Sequence, residues 1–102
     1  MLKLLRVYPY RSKWVVNDSG LTFPRSFVRT IEDLVEAEGR RIGRHLLDNH
    51  IVAIVEETDA FGCYWRWAVE LHDCVCWMAK AIGDEDSYLW DGDCPSPPID
   101  IA

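Results

Sequence analysis

Histidine and cysteine side chains cluster in one stretch of the chain. His72, Cys74 and Cys76 lie at alternate positions, and Cys63 precedes them by less than ten residues. Thiolates and imidazoles are the ligands that structural zinc sites use, in sets of four. The sequence therefore contains one candidate metal site, which consists of Cys63, His72, Cys74 and Cys76.

The spacing of these residues weakens the metal interpretation. Zinc-binding cysteines are usually separated by two to four residues, whereas one residue separates Cys74 from Cys76. On a helix, positions i and i+2 point about 200° apart, so these two thiols can share an ion only if the helix begins after them. The favoured interpretation is that the thiols are small buried hydrophobic groups, with metal binding as the alternative.

Thiol chemistry offers a second alternative. Cys74 would lie in the first turn of a helix, and Cys94 lies in a Pro-rich segment that leaves it accessible, so either is a candidate redox sensor. Asp73 opposes thiolate formation at Cys74. No nucleophile motif surrounds any cysteine, and the acidic run 84–86 lacks Ca²⁺-loop spacing and is interpreted as a solvated loop. We therefore expect no enzymatic activity and no cofactor.

Two predicted secondary-structure elements carry the candidate histidine and cysteine ligands. Residues 61–70 alternate as a strand, with Cys63, Trp65, Trp67 and Val69 on one face. The segment 71–82 follows the period of a helix, and its apolar stripe consists of Leu71, Val75, Met78, Ala79 and Ile82. A strand followed by a second helix is the prediction for this region.

Large aromatic side chains are unusually frequent. Trp and Tyr together account for nine of the 102 residues, and both are enriched at the centres of protein interfaces. A small sheet cannot bury all of the tryptophans, so the sequence favours a non-enzymatic protein-interaction or self-association module, as a homodimer. The candidate interaction residues are Trp14, Tyr64, Trp65, Trp67 and Trp90.

Charge is distributed unevenly along the chain, whose net charge is −6. Residues 1–51 contain nine Lys/Arg and six Asp/Glu, whereas residues 52–102 contain two and eleven. Opposite fields of this kind can pair two copies of a chain. A chain with this charge distribution is poorly suited to binding nucleic acid, because phosphate binding needs a positively charged surface. Weak single-stranded nucleic-acid binding is a further alternative, supported by basic residues beside aromatics: Arg6, Tyr8, Tyr10, Arg11, Lys13, Trp14, Arg40, Arg41 and Arg44.

The remaining elements predict an α+β fold. Strands are expected at residues 3–10, 13–16, 21–23, 51–55 and 87–90 in addition to 61–70. The segment 51–55 is apolar at every position, which is typical of a central strand covered on both faces. We expect one antiparallel, twisted sheet of about six short strands with two helices packed on it.

The first predicted helix has Thr30 as its N-cap and Asp33 in the capping-box position. Its apolar stripe stays in phase to about Leu47, which favours one continuous helix. Gly39 and Gly43 oppose it, because each costs about 1 kcal/mol relative to Ala in a helix interior.

The chain has the length of one domain, which we assign to residues 1–93, with residues 94–102 as a Pro-rich mobile tail. No apolar run reaches the ~20 residues that span a bilayer. The first residues imitate a signal peptide, but Arg6, Pro9 and Arg11 interrupt the apolar run. Four cysteines without an export signal favour reduced thiols and a cytoplasmic location.

A set of packing residues also resembles a known family. Trp14-Val15, Asp18, Gly20-Leu21, Phe27-Val28 and Ile31 form a pattern similar to that of a family of short bacterial proteins of unknown function. The segments Gly62 to Trp65 and Cys74 to Ile82 are similar as well, so the resemblance covers about two-thirds of the chain. This chain departs at Phe23 to Ser26, where it is longer by about one residue. The resemblance implies a compact α+β fold and no catalytic activity.

Overall fold

The computed structural model describes residues 1–9, 24–47, 51–72, 75–86 and 97–101, and for residues 72 and 75–80 it describes the backbone only. The elements are β1 (Leu2–Tyr8), α1 (Arg25–Ile42), β2 (Ile51–Thr58), β3 (Tyr64–His72), β4 (Val75–Ile82) and β5 (Ile99–Asp100). The strands form one sheet in the order β4-β3-β2-β1-β5. All neighbouring strands are antiparallel. The predicted α+β class with an antiparallel sheet is confirmed.

Strand β2 lies at the centre of this sheet and is buried on both faces. Each residue from Ile51 to Val55 is at most 1% exposed. Its β-branched side chains suit a pleated surface that is packed on both sides. The prediction of a central, doubly covered strand is confirmed.

The two faces of the sheet carry separate apolar clusters. Helix α1 covers one face, and its Ile31 and Val35 are fully buried. They pack with Leu4, Val7, Leu46, Leu47, Ile51, Ala53, Val55, Val69 and Leu71. On the opposite face Tyr8, Val52, Ile54 and Ala68 form the second cluster.

Helix α1 begins earlier than predicted. Its first residue is Arg25, after Pro24 at φ −56°, and the Pro24 carbonyl accepts hydrogen bonds from the amides of Phe27 and Val28. The Thr30 hydroxyl donates to the Ser26 carbonyl at 3.0 Å inside the helix. Thr30 is therefore not the N-cap. The helix thus begins directly after a proline, whose carbonyl accepts its first hydrogen bonds without a side-chain cap.

The helix also ends earlier than predicted, at Ile42 instead of Leu47. Gly43 adopts the left-handed conformation, with φ 73°, which lets its amide donate to Arg40 O and the Arg44 amide donate to Gly39 O. The helix is continuous through Gly39, as predicted. The two glycines thus have different roles: Gly43 ends the helix, and Gly39 lets the following chain fold back onto it.

The second predicted helix is wrong. Residues 75–82 form strand β4, which pairs with β3 from Arg66↔Ile82 to His72↔Val75, with a register shift at Glu70/Leu71. A segment that is apolar at nearly every position fits both the helical and the strand period, and here pairing with β3 decides. Within the described residues the fold has five strands and one helix, instead of six and two. The strands predicted at 13–16, 21–23 and 87–90 lie outside the described residues.

The last part of the predicted tail lies beside strand β1. Ile99 pairs with Val7, and Asp100 pairs with Arg6. The Ile101 amide donates to the Leu5 carbonyl at 3.0 Å. The end of the chain therefore belongs to the same sheet as β1, because this outer edge of β1 is available for pairing.

The described part of the chain contains no helix that combines the length and the apolar character needed to cross a membrane. Helix α1 has 18 residues, but charged side chains are distributed along it.

We expect Gly39→Ala to destabilise the protein. A Cβ atom at Gly39 would lie 2.5 Å from the Arg44 carbonyl oxygen, so the fold-back of the chain would have to move. Overpacking of this kind costs about 1–3 kcal/mol, which outweighs the gain of about 1 kcal/mol that alanine normally brings to a helix interior. Urea denaturation monitored by circular dichroism measures the difference.

Ala37→Gly, at an exposed position of the same helix, is the control and should lose about 1 kcal/mol through helix propensity. A Gly39→Ala variant that is more stable than the natural chain would contradict the close approach.

Candidate functional site

The turn between β2 and β3 is organised by one carboxylate. Asp59 Oδ1 accepts hydrogen bonds from the amides of Phe61, at 2.8 Å, and Cys63, at 3.0 Å. The Asp59 amide donates to the Cys63 carbonyl, and Gly62 closes the turn with φ 85°. Asp at such a position is a recognised turn former, because its side chain replaces backbone hydrogen bonds. The turn therefore has a defined conformation.

Large hydrophobic side chains are exposed around this turn. Phe61 is 90% exposed, Tyr64 49% and Trp65 50%. Met1, at 88%, is joined to the same end of the sheet, because its ammonium donates to Thr58 O at 2.8 Å and its carbonyl accepts from the Thr58 amide. We call Met1, Phe61, Tyr64 and Trp65 the hairpin-end patch. Within the described residues, these four are the exposed large hydrophobic side chains.

Strand alternation divides the aromatic residues of β3 between the two faces. Trp65 and Trp67 belong to the face covered by α1, but only Trp67 packs against the helix-side cluster. Tyr64 lies on the other face, where its hydroxyl donates to Asp84 Oδ1 at 3.0 Å. This hydrogen bond to the Asp84 carboxylate raises the pKa of Tyr64.

Arg66 supports Tyr64 from the same face. Its guanidinium lies 5.7 Å from the centre of the Tyr64 ring, a distance at which a cation attracts an aromatic face. Arg66 Nε donates to Glu56 at 3.0 Å, and Nη1 donates to the Asp84 carbonyl at 2.9 Å. Tyr64 is thus held in place although half of it is exposed.

A second polar cluster joins distant parts of the chain. Arg6 forms ion pairs with Asp86 and Asp100, and the buried Tyr8 hydroxyl donates to the Asp86 carbonyl at 2.9 Å. The hydrogen bond to Asp100 raises the pKa of Arg6. Burial, followed by the charge of Asp86, raises the pKa of Tyr8 to about 12. The cluster ties β1 to β5 and to the segment after β4.

Asp86 was missed by sequence reasoning. The acidic run 84–86 was interpreted as a solvated loop, yet Asp86 is only 6% exposed. No local signal identifies it, because its partner Arg6 is 80 residues away in the chain.

Of the predicted interaction residues that the structure describes, two are exposed and one is half-buried. Tyr64 and Trp65 lie in the hairpin-end patch, whereas Trp67 is half-buried against the core. Trp14 and Trp90 lie outside the described residues.

Two residues of the metal alternative, Cys63 and His72, lie at opposite ends of β3. Cys63, an exposed free thiol, precedes the strand, and His72 is its last residue. They are nine positions apart in the chain, or about 30 Å at 3.4 Å per residue. Cys76 lies opposite Leu71 near the His72 end, and Cys74 is not among the described residues. In the described part of the chain, no three His, Cys, Asp or Glu residues form a group that could hold a metal ion.

Some of the residues that support the nucleic-acid alternative are buried or paired with carboxylates. Tyr8 is 2% exposed and cannot stack with a base, and Arg6 is paired with two carboxylates. Arg41 is paired with Glu38. Residues 10–14 of this alternative lie outside the described part.

Comparison with known proteins does not place the chain in a family: no protein-family model, curated protein or solved structure matches it. The resemblance to short bacterial proteins of unknown function stays a prediction.

The Tyr8 phenol should make stability depend on pH in the alkaline range. Its pKa is about 12 in the folded protein and about 10 in an unfolded chain. Between these values the unfolded state has lost the proton that the folded state keeps, so stability falls as pH rises from 10 to 12. We expect Tyr8→Phe to lose about 1 kcal/mol at pH 8, where the hydrogen bond to Asp86 O is missing, and to lack this decline.

Urea denaturation of both proteins from pH 8 upward measures the effect, since Lys and Cys titrations cancel in the difference. The stability advantage of the natural chain should shrink or reverse above pH 10, on the order of 2 kcal/mol in total. Parallel pH profiles would contradict the assignment.

Proposed function

We propose that the protein is a non-enzymatic interaction module that self-associates through the hairpin-end patch. The observation that supports it is the exposure of Met1, Phe61, Tyr64 and Trp65 at the same end of the sheet, with Tyr64 on one face and Trp65 on the other. Single exposed hydrophobic residues are ordinary on protein surfaces, whereas four at one end of a small sheet favour an interaction site. Tyr and Trp are also the residue types that contribute most to binding energy.

The backbone of the turn and the Tyr64 side chain are ordered before any partner binds. The Asp59 carboxylate holds the turn, and Asp84 and Arg66 hold Tyr64. Association therefore loses little conformational entropy at Tyr64, where an immobilised side chain otherwise costs about 0.5–1.5 kcal/mol.

The charges around the patch favour a basic partner surface. Asp59 and Asp84 are exposed beside it, and Glu57 is half-buried next to Trp65 on the paired strand. Two patches in direct contact would bring these carboxylates together. The start of helix α1 offers the opposite charge, because Arg25 and Arg29 are both exposed and the first turn contains no acidic residue.

A two-fold symmetric dimer satisfies these requirements. In such a dimer each patch contacts α1 of the other copy, and the symmetry repeats the contact. The acidic rim of one copy then faces the arginines of the other, an arrangement that fixes orientation and weakens as salt increases.

We expect the natural chain to show the mass of a dimer in sedimentation and light-scattering measurements, with dissociation on dilution and at high salt. Phe61→Ser combined with Trp65→Ser should give a monomer that is still folded by circular dichroism, because Phe61 is 90% exposed and Trp65 is 50% exposed.

Pro97→Ser, an exposed apolar position beside β5, is the control and should leave the dimer intact. Trp67→Ala should instead lower stability, because Trp67 packs against the core. A natural chain that stays monomeric at high concentration, or a double variant that still dimerises, would refute the proposal.

A further inference from the structure

A cavity of about 290 Å³ lies where helix α1 ends. Gly39, Leu46 and Leu47 contribute buried surface to its wall. The exposed residues Arg40, Arg44 and His45 line it as well. The cavity is close to the lower limit of about 300 Å³ for small-molecule sites, so it suits a small occupant.

The wall of this cavity is anchored by the fold-back after the helix. Gly43 reverses the chain in the left-handed conformation, and the Arg44 amide donates to Gly39 O at 2.8 Å. Leu46 and Leu47 are 2% and 3% exposed and belong to the helix-side cluster. The cavity is therefore built from ordered backbone and core residues.

The ionic groups around the cavity are predominantly basic. Arg40 and Arg44 form no ion pair within the described residues, whereas Arg6, Arg41 and Arg66 all do. Glu36 is the acidic residue of the lining. Two guanidiniums beside one carboxylate leave an excess of positive charge, in a chain whose net charge is −6.

The negative end of the helix macrodipole acts against an anion here. Its effect is reduced, because the carbonyls of Gly39 and Arg40 already accept hydrogen bonds from Arg44 and Gly43. A guanidinium carries a full charge and binds carboxylate or phosphate through two parallel hydrogen bonds. Two arginines thus outweigh the residual partial charge.

We propose that this cavity binds a small organic anion, in which a carboxylate or phosphate group contacts Arg40 and Arg44 and a short apolar body contacts Leu46 and Leu47. The apolar wall distinguishes such a ligand from a free inorganic ion, and the volume suits a small ligand. The site is separate from the hairpin-end patch, so it does not depend on the proposed self-association.

Titration of the full chain, with amide shifts followed by NMR, tests this proposal. The probes are benzoate, phenyl phosphate, inorganic phosphate and neutral benzamide. We expect saturable shifts at the amides of Gly39, Gly43 and Arg44 with benzoate, phenyl phosphate or both, and the stronger of the two identifies the anionic group. Inorganic phosphate and benzamide should bind at least tenfold more weakly.

Arg40→Gln combined with Arg44→Gln should weaken binding at least tenfold. Lys3→Gln removes one positive charge from an exposed position of β1 that does not line the cavity and should leave affinity unchanged, whereas Arg40→Gln alone should weaken binding. No saturable shift with either organic anion would overturn the proposal. So would equal binding of inorganic phosphate, which indicates an adventitious ion only, equal binding of benzamide, or equal loss in Lys3→Gln and Arg40→Gln.

Discussion

The burial of β2 on both faces is the constraint on which the rest of the structure depends. Five consecutive residues, Ile51 to Val55, are at most 1% exposed, so each face of this strand needs a covering layer and each edge needs a paired strand. Strands β1 and β3 pair with the two edges of β2. Helix α1 covers one face through Ile31 and Val35, and Tyr8 and Ala68 pack beside Val52 and Ile54 on the other.

Polar contacts over long sequence separations complete this arrangement. Arg6 is paired with Asp86 and Asp100, which are 80 and 94 residues away in the chain. The Tyr8 hydroxyl binds the backbone of the same segment. Hydrogen bonds between charged groups are about twice as strong as those between neutral groups. These contacts join β1 to β5 and to the segment after β4, and none of them involves β2.

The parts of the fold that the sequence predicts are those in which the local pattern has one interpretation. A short, β-branched run that is apolar at every position predicts β2, and the Asp and Gly residues after it predict the hairpin. Strand β4 was not predictable, because its apolar residues satisfy two periods and the neighbouring strand selects one of them.

Local patterns also leave the start of the helix and the exposure of the candidate site undetermined. Thr30 and Asp33 match a capping box, but Pro24 provides an earlier start that the motif does not exclude. Tyr64 and Trp65 are among the five predicted interaction residues, but the sequence does not indicate which of the five are exposed. Which of them would be exposed depends on which distant segments cover each face of the sheet, and no local pattern records this.

The contrast between Trp65 and Trp67 explains why the hairpin-end patch persists. Both side chains belong to the face that α1 covers, yet Trp67 packs against the core and Trp65 is half exposed. A slip of one residue would turn Trp65, Trp67 and Val69 together to the opposite face. The core contacts of Trp67 and Val69 therefore fix the register. The same register places Trp65 opposite Glu57 near the end of the strand pair, where it is 50% exposed. Exposed side chains of the patch can therefore change by substitution while the fold is preserved.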